Sequence, residues 1–201
     1  MKVDSTEIEC NPQNVSSQLH AIFISWRIYH YVQAEPVVEA LVSSTWPALV
    51  LAAGCADVLL VNAILATNPD INAQEPYMGR TALHFAVAHG HTDVVKRLLD
   101  GDADRHVLTF KGLLPLQVSV IYDHREIMTV LLERGCNPNH QSPNGTTALH
   151  AAAANGRHAV AKILLDFGAD RNISDGNYTP LQFALFKSDT EMARILLMYN
   201  V

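Results

Sequence analysis

From Pro47 onward, short apolar stretches alternate with polar, Gly-containing breaks at helical rather than strand spacing. The clearest example is Thr147 to Asn172, TALHAAAANGRHAVAKILLDFGADRN. A turn-forming Thr leads into a short Ala-rich helix, expected over Ala151 to Asn155. The pattern breaks at Gly156 and resumes as a second helix with Val160, Ile163, Leu164 and Leu165 as its apolar residues. Gly168 closes that helix at a C-cap, where the chain needs a residue that tolerates positive φ. Helices this short are not stable alone in water, so the pair must bury its apolar face on a neighbour.

The neighbours are further copies of the same pattern. TALHFAVAHGHTDVVKRLLDGDAD starts at Thr81, LPLQVSVIYDHREIMTVLLERGCNPN at Leu114 and TPLQFALFKSDTEMARILLMYNV at Thr179, with a weaker copy at Pro47. The starts at 47, 81, 114, 147 and 179 are separated by 34, 33, 33 and 32 residues. One position is always Leu: Leu49, Leu83, Leu116, Leu149 and Leu181. The second helix repeats an aliphatic pair, Ile64-Leu65, Leu98-Leu99, Leu131-Leu132, Leu164-Leu165 and Leu196-Leu197.

These units resemble the ankyrin repeat family, whose pattern is a β-turn and two helices with a T-P-L-H-x-A signature. The likeness runs from Pro47 to Val201 and departs mildly from the pattern. Pro47 and Leu114 replace the opening Thr, Ser119 replaces an Ala, and Asn68 and Asp102 stand in capping-Gly positions. The fold class it implies is an all-α repeat solenoid with β-turn hairpin loops, in units 47–80, 81–113, 114–146, 147–178 and 179–201. Ahead of it, residues 1–16 are polar and expected to be disordered, and residues 17–45 form a helical pair interrupted at Pro36. In that pair Leu19, Ile22, Phe23, Trp26 and Tyr29 share one face. It serves either as a cap on the first repeat or as a docking helix offering Phe23 and Trp26.

Composition narrows the function. With 49% hydrophobic and 17% charged residues the chain is globular rather than disordered. Its net charge of −6 and scattered basic residues argue against nucleic acid. Cys10, Cys55 and Cys136 form no pairable or zinc-binding set, so a reducing, intracellular setting is expected, cytoplasmic or nuclear. Met1 to Ser16 lacks a signal peptide, and the apolar run Pro47 to Leu65 carries Asp57, so it is read as a buried repeat rather than a membrane span. The sequons at Asn14, Asn144, Asn172 and Asn177 are read as incidental to Asn-rich turns.

Candidate chemistry is sparse. The ten histidines show no metal spacing, and no nucleophile, phosphate-loop or dinucleotide motif occurs. No enzyme activity, cofactor, metal or small-molecule ligand is expected. What the resemblance implies is a protein-binding surface, made by the turn tips and the ends of the first helices. The turn positions are Tyr77, Met78 and Arg80 around Gly79, Phe110, Lys111 and Leu113 around Gly112, and Asn144 and Thr146 around Gly145. Gly176 and Tyr178 around Asn177 complete them. The helix positions are Gly54 and Cys55, Ala88 and His89, Ile121 and Tyr122, Ala154 and Asn155, and Phe186 and Lys187. Tyr77, Met78, Phe110, Leu113, Ile121 and Tyr122 form an apolar patch, unless Leu113 and Ile121 pack between repeats.

The expected function is therefore a scaffold, adaptor or inhibitor that captures a protein partner. The alternatives are a substrate-recognition subunit of a ubiquitin ligase or a regulator of the NF-κB-inhibitor type. The resemblance also raises hydroxylation of Asn72, Asn139 and Asn172, set against an ordinary hairpin role for each. At the other end, Leu185, Phe186 and Leu197 give the fifth unit no clear polar cover. The chain either continues, docks there on another subunit, or is covered by Lys187, Asp189, Glu191 and Arg194.

Overall fold

The computed structural model describes residues 47–199, in ten helices and no strand. The expected N-terminal segment (1–16), the helical pair (17–45) and the last two residues lie outside the described residues. The helices are α1 (Ala48–Gly54), α2 (Val58–Leu65), α3 (Ala82–Ala88), α4 (Thr92–Asp100), α5 (Pro115–Ile121), α6 (Arg125–Glu133), α7 (Ala148–Ala154), α8 (His158–Asp166), α9 (Pro180–Phe186) and α10 (Thr190–Met198). Odd-numbered helices pack on odd-numbered ones and even on even, so the fold is a two-layer stack of helix pairs. Each unit touches its neighbours, as in other repeat solenoids.

The second, fourth and fifth units start at a side-chain cap. Thr81, Thr147 and Thr179 stand at the N-caps of α3, α7 and α9, each accepting from the amide three residues on. Such a cap stabilises a helix by about 1 kcal/mol. That is why α7 begins at Ala148, three residues before the expected start at Ala151. His84 completes the box: its Nδ1 accepts from the Thr81 amide (3.2 Å) and its Nε2 donates to the Leu113 carbonyl of the following hairpin (3.1 Å). His150 does the same between Thr147 and Tyr178. In the third unit Gln117 takes both roles, accepting from Leu114 N (3.0 Å) and donating to Thr146 O (3.1 Å). Leu49, Leu83, Leu116 and Leu149 are buried, as are Leu98, Leu131, Leu164 and Leu196 of the outer helices.

Three left-handed positions punctuate each of the first four units, the third being the hairpin glycine Gly79, Gly112, Gly145 or Gly176. Ala56, Gly90, Asp123, Gly156 and Ser188 turn the chain between helices, while Asn68, Asp102, Gly135 and Gly168 close the outer helices. Asn68 (φ 53°) and Asp102 (φ 62°) thus occupy the slot expected for them. The interval from the unit's start to that second position is constant, as Pro47 to Asn68 and Thr147 to Gly168 show. The differences in unit length lie entirely in the hairpin tips. These are closed by Glu75 N to Arg80 O, Thr109 N to Leu113 O, Ser142 N to Thr146 O, and Asp175 N to Tyr178 O, at 2.9 to 3.0 Å. Each successive loop is therefore equal to or shorter than the last.

Candidate protein-binding groove

The hairpin tips and the C-terminal ends of the odd-numbered helices line one side of the stack. A polar residue opens each hairpin and holds it shut. Glu75 is fully buried and accepts from the amides of Tyr77 (2.7 Å) and Met78 (2.8 Å) and from Arg80 Nε (3.2 Å). Burial alone would raise its pKa, but these bonds outweigh it and hold the carboxyl below its usual range. Thr109 Oγ1 accepts from Leu113 N, and Asp175 Oδ1 accepts from Asn177 N and Tyr178 N.

Each hairpin also rests on the one before. The Phe110 ring lies against Gly79, where a Cβ would come within 2.4 Å of it, and Phe110 N donates to Met78 O (2.8 Å). Pro143 covers Gly112 in the same way, and the Asp175 backbone covers Gly145. Polar rungs run beside this stack: Asn72 Oδ1 accepts from Asp104 N, and Asn139 Oδ1 from Asp170 N. Both side chains therefore have a hairpin-bracing role, whereas Asn172 is exposed and donates its amide to Asp170.

Of the residues expected to form a contact surface, Tyr77 is 75% exposed, Phe110 65% and Tyr122 56%, and Met78 and Ile121 join them at the surface. Lys111, Asn144, Asn155, Tyr178, Phe186 and Lys187 are exposed too. Three behave differently. Leu113 is half-buried and packs on the core. Arg80 is engaged inside its hairpin, paired with Glu75 and lying 4.1 Å above the Phe85 ring. His89 is half-buried between Phe85 and His91, and burial, with His91, Arg80 and His124 close by, lowers its pKa. The fourth hairpin needs a correction. Its left-handed residue is Gly176 (φ 99°), not Asn177, because the tip is one residue shorter.

The geometry also joins residues that the spacing left apart. Tyr178 packs edge-on to Phe183 (5.4 Å between centroids) and lies beside Phe186 (6.4 Å), giving a second aromatic cluster at the fifth unit. Between the two clusters lie the polar Asn144 of the third hairpin and Ala154 and Asn155 of the fourth unit. Among the described residues, no group of three or more His, Cys, Asp or Glu is placed to hold a metal, and no helix is long and apolar enough to cross a membrane.

A family profile described as Ankyrin repeats (3 copies) matches residues 49–142 and 134–201. The chain belongs to the ankyrin repeat family. Among its relatives is a protein named Tyrosine-protein kinase HTK16 from Hydra vulgaris, 35% identical over 63% of this chain and 17% of the relative. The Probable E3 ubiquitin-protein ligase XBOS31 from Oryza sativa subsp. japonica is 35% identical over 59% of this chain and 27% of its own. The Target of rapamycin complex 2 subunit AVO2 from Saccharomyces cerevisiae is 29% identical over 70% and 34%. The chain thus spans about a third or less of these relatives. Ankyrin repeats are interaction modules, and what the relatives share with this one is its repeats.

Glu75 was missed by sequence reasoning, although each hairpin opens on an acceptor side chain, Glu75, Thr109, Ser142 or Asp175, at the same place in its unit.

Proposed function

We propose that this ankyrin domain is a non-catalytic adaptor that captures a protein segment along its groove, anchored by Tyr77, Phe110 and Tyr122. The observation that carries this reading is the exposure of three aromatic side chains, from adjacent units, on a well-braced frame. Large aromatic groups held rigidly at a surface lose little entropy on binding and are enriched among binding hot spots. A photo-crosslinking residue at position 122 should attach to a protein partner in cells, and one at Glu133 on α6 should not. Equal labelling from both positions would dismiss the groove. The reducing setting inferred from the cysteines makes the cell interior the place to test it.

Several relatives carry the name of ubiquitin-protein ligases, which favours a second reading, substrate recognition for a ubiquitin ligase. Ligase subunits should then co-purify with the chain, and deletion of residues 1–44 should release them while leaving groove binding intact. A regulator of the NF-κB-inhibitor type remains within the adaptor class, with no residue that singles it out.

A further inference from the structure

The groove carries a charge opposite to that of the molecule around it. The chain holds 20 acidic residues against 14 basic ones, yet none of the exposed contact positions along the groove is acidic. The acids nearest to them are engaged internally. Glu75 and Asp175 accept from amides of their own hairpins. Asp123 is shared between Arg125 (3.1 Å) and Arg157 (2.9 Å), which leaves one positive charge in surplus beside Tyr122. Lys111 on the second hairpin and Lys187 at the end of α9 are exposed, and neither meets an acid among the described residues. His89 adds no charge near pH 7, because burial, with His91, Arg80 and His124 close by, lowers its pKa.

The exposed acids lie on the outer helices instead, as Asp93, Asp100, Glu126, Glu133 and Asp166 show. Packed helices are about 8–10 Å apart, roughly one Debye length at physiological salt, so the nearer cations govern the field inside the groove. Spacing narrows the ligand further. Ile121 and Phe186 hold the same helix position two units apart, and each belongs to one of the two apolar clusters. Two helix spacings are roughly 16–20 Å, which an extended chain at about 3.3 Å per residue crosses in about five to six residues. A helical ligand would repeat its apolar residues about every 5.4 Å and set some of them on the polar interval at Asn144 and Asn155. That interval suits acceptors better: Asn144 gives its Oδ1 to Ser142 and Thr146 of its own hairpin, which leaves Nδ2 as a donor.

We propose that the occupant of the groove is an extended acidic segment of a protein partner, with two apolar anchors about five to six residues apart and Asp or Glu beside them. One anchor sits among Phe110, Ile121 and Tyr122, the other among Tyr178 and Phe186, and the carboxylates meet Lys111 and Lys187. The assignment rests on the groove reading given under Proposed function and adds the chemistry of the partner. Exposed ion pairs add only a few-fold each to affinity, so the aromatic clusters hold the segment and the lysines select it.

The test pans a random phage-displayed peptide library, long enough to carry both anchors, against the full chain. Retained peptides should be rich in Asp and Glu and carry two apolar residues at the stated interval. The most enriched peptide, made synthetically with a fluorescent label, should bind more weakly as NaCl rises from about 0.05 to 0.5 M. Its affinity should fall about tenfold for the double variant Lys111→Glu, Lys187→Glu, whose exposed positions leave the circular dichroism spectrum unchanged. An amide version of the peptide, with Asn and Gln for Asp and Glu, should lose a similar factor on the wild-type chain, which decides the matter without any variant. Neutral or basic peptides that still depend on Tyr122, read with Tyr122→Ala, would overturn the acidic assignment and leave the groove reading standing. Peptides of any charge that bind Tyr122→Ala as well as wild type would overturn both. An acidic peptide indifferent to the double lysine variant, or a library that yields no binder, would overturn the proposal as well.

Discussion

At the scale of single residues, the domain is braced by buried polar groups whose protonation matters. His84 is buried, and burial lowers its pKa to about 4 against an ordinary 6.5, partly offset by its bond to Leu113 O. Between those two values the unfolded chain binds a proton that the native chain does not, so stability falls as pH falls through that window. The loss is on the order of 3 kcal/mol when complete. Gln117 shows that an amide can make the same two bonds without titrating. His84→Gln is therefore expected to cost less than about 1 kcal/mol at pH 7 and to flatten the decline between pH 6.5 and 4 in urea unfolding. An unchanged slope would assign the decline elsewhere. Glu75, held low, adds its own loss further down, as pH drops through and below the ordinary carboxylate range. Glycines offer a second check. Gly112 (φ 68°) and Gly168 (φ 80°) are both left-handed, but a Cβ at Gly112 would lie 2.0 Å from Pro143 Cδ, and one at Gly168 would meet nothing within 4 Å. Gly168→Ala should cost roughly 1–2 kcal/mol, the left-handed penalty alone. Gly112→Ala should cost more, because Pro143 must also move. Equal losses would mean that the hairpin stack yields freely.

At the scale of elements, surface and core positions separate cleanly. Tyr122, at the C-cap of α5, rests its ring beside His124 (6.2 Å) and is otherwise open. Leu131 on α6 is fully buried. Tyr122→Ala should leave the melting temperature nearly unchanged and weaken partner binding by more than about 1 kcal/mol. Leu131→Ala should lose about 2–5 kcal/mol of stability. Phe110→Ala is a mixed case, since the ring also covers Gly79. Some loss of stability is therefore expected beside any loss of binding. The contrast marks what the sequence made legible. Helix pairs, their buried leucines and the capping slots of Asn68 and Asp102 follow from local spacing, and so they could be read off directly. The Phe110–Gly79 stack depends on hairpins about a unit apart coming into register, and the Tyr178–Phe186 cluster on a hairpin tip lying against the end of the helix that follows it. The Arg80–Glu75–Phe85 knot depends on where one loop folds back. Local periodicity carries neither kind of information. The same limit explains the misplaced Asn177: a loop shortened by one residue shifts the left-handed position, and only the closing bond from Asp175 to Tyr178 reveals it.

At the scale of the whole molecule, stability passes from unit to unit through nearest-neighbour contacts, so the domain need not open all at once. Among the described residues, the fifth unit has a covered face only toward the fourth, and a few polar links reinforce that side. Asp189 caps α10 by accepting from Met192 N (2.9 Å), and it also meets His158 Nε2 (2.9 Å) across the interface. The Met192 amide bond, together with His158, holds the Asp189 carboxyl below its usual range. At the other end of α10, the Arg171 guanidinium donates to the carbonyls of Leu196 and Tyr199, each at 2.9 Å. Tyr199 in turn reaches back to Asp166 on α8. A cation on the last carbonyls of a helix satisfies acceptors that have no partner within it and opposes the helix dipole. Arg171→Ala removes two charge-assisted bonds, which at about 1.5–3 kcal/mol each is a large part of what fastens α10. Hydrogen exchange on dilute protein should therefore show faster exchange across α9 and α10 in the variant. Protection in α3 to α6 should stay as in the wild type, because those units keep both neighbours. A uniform fall in protection from α3 to α10 would instead show that the stack opens as one cooperative block and that Arg171 supports all of it.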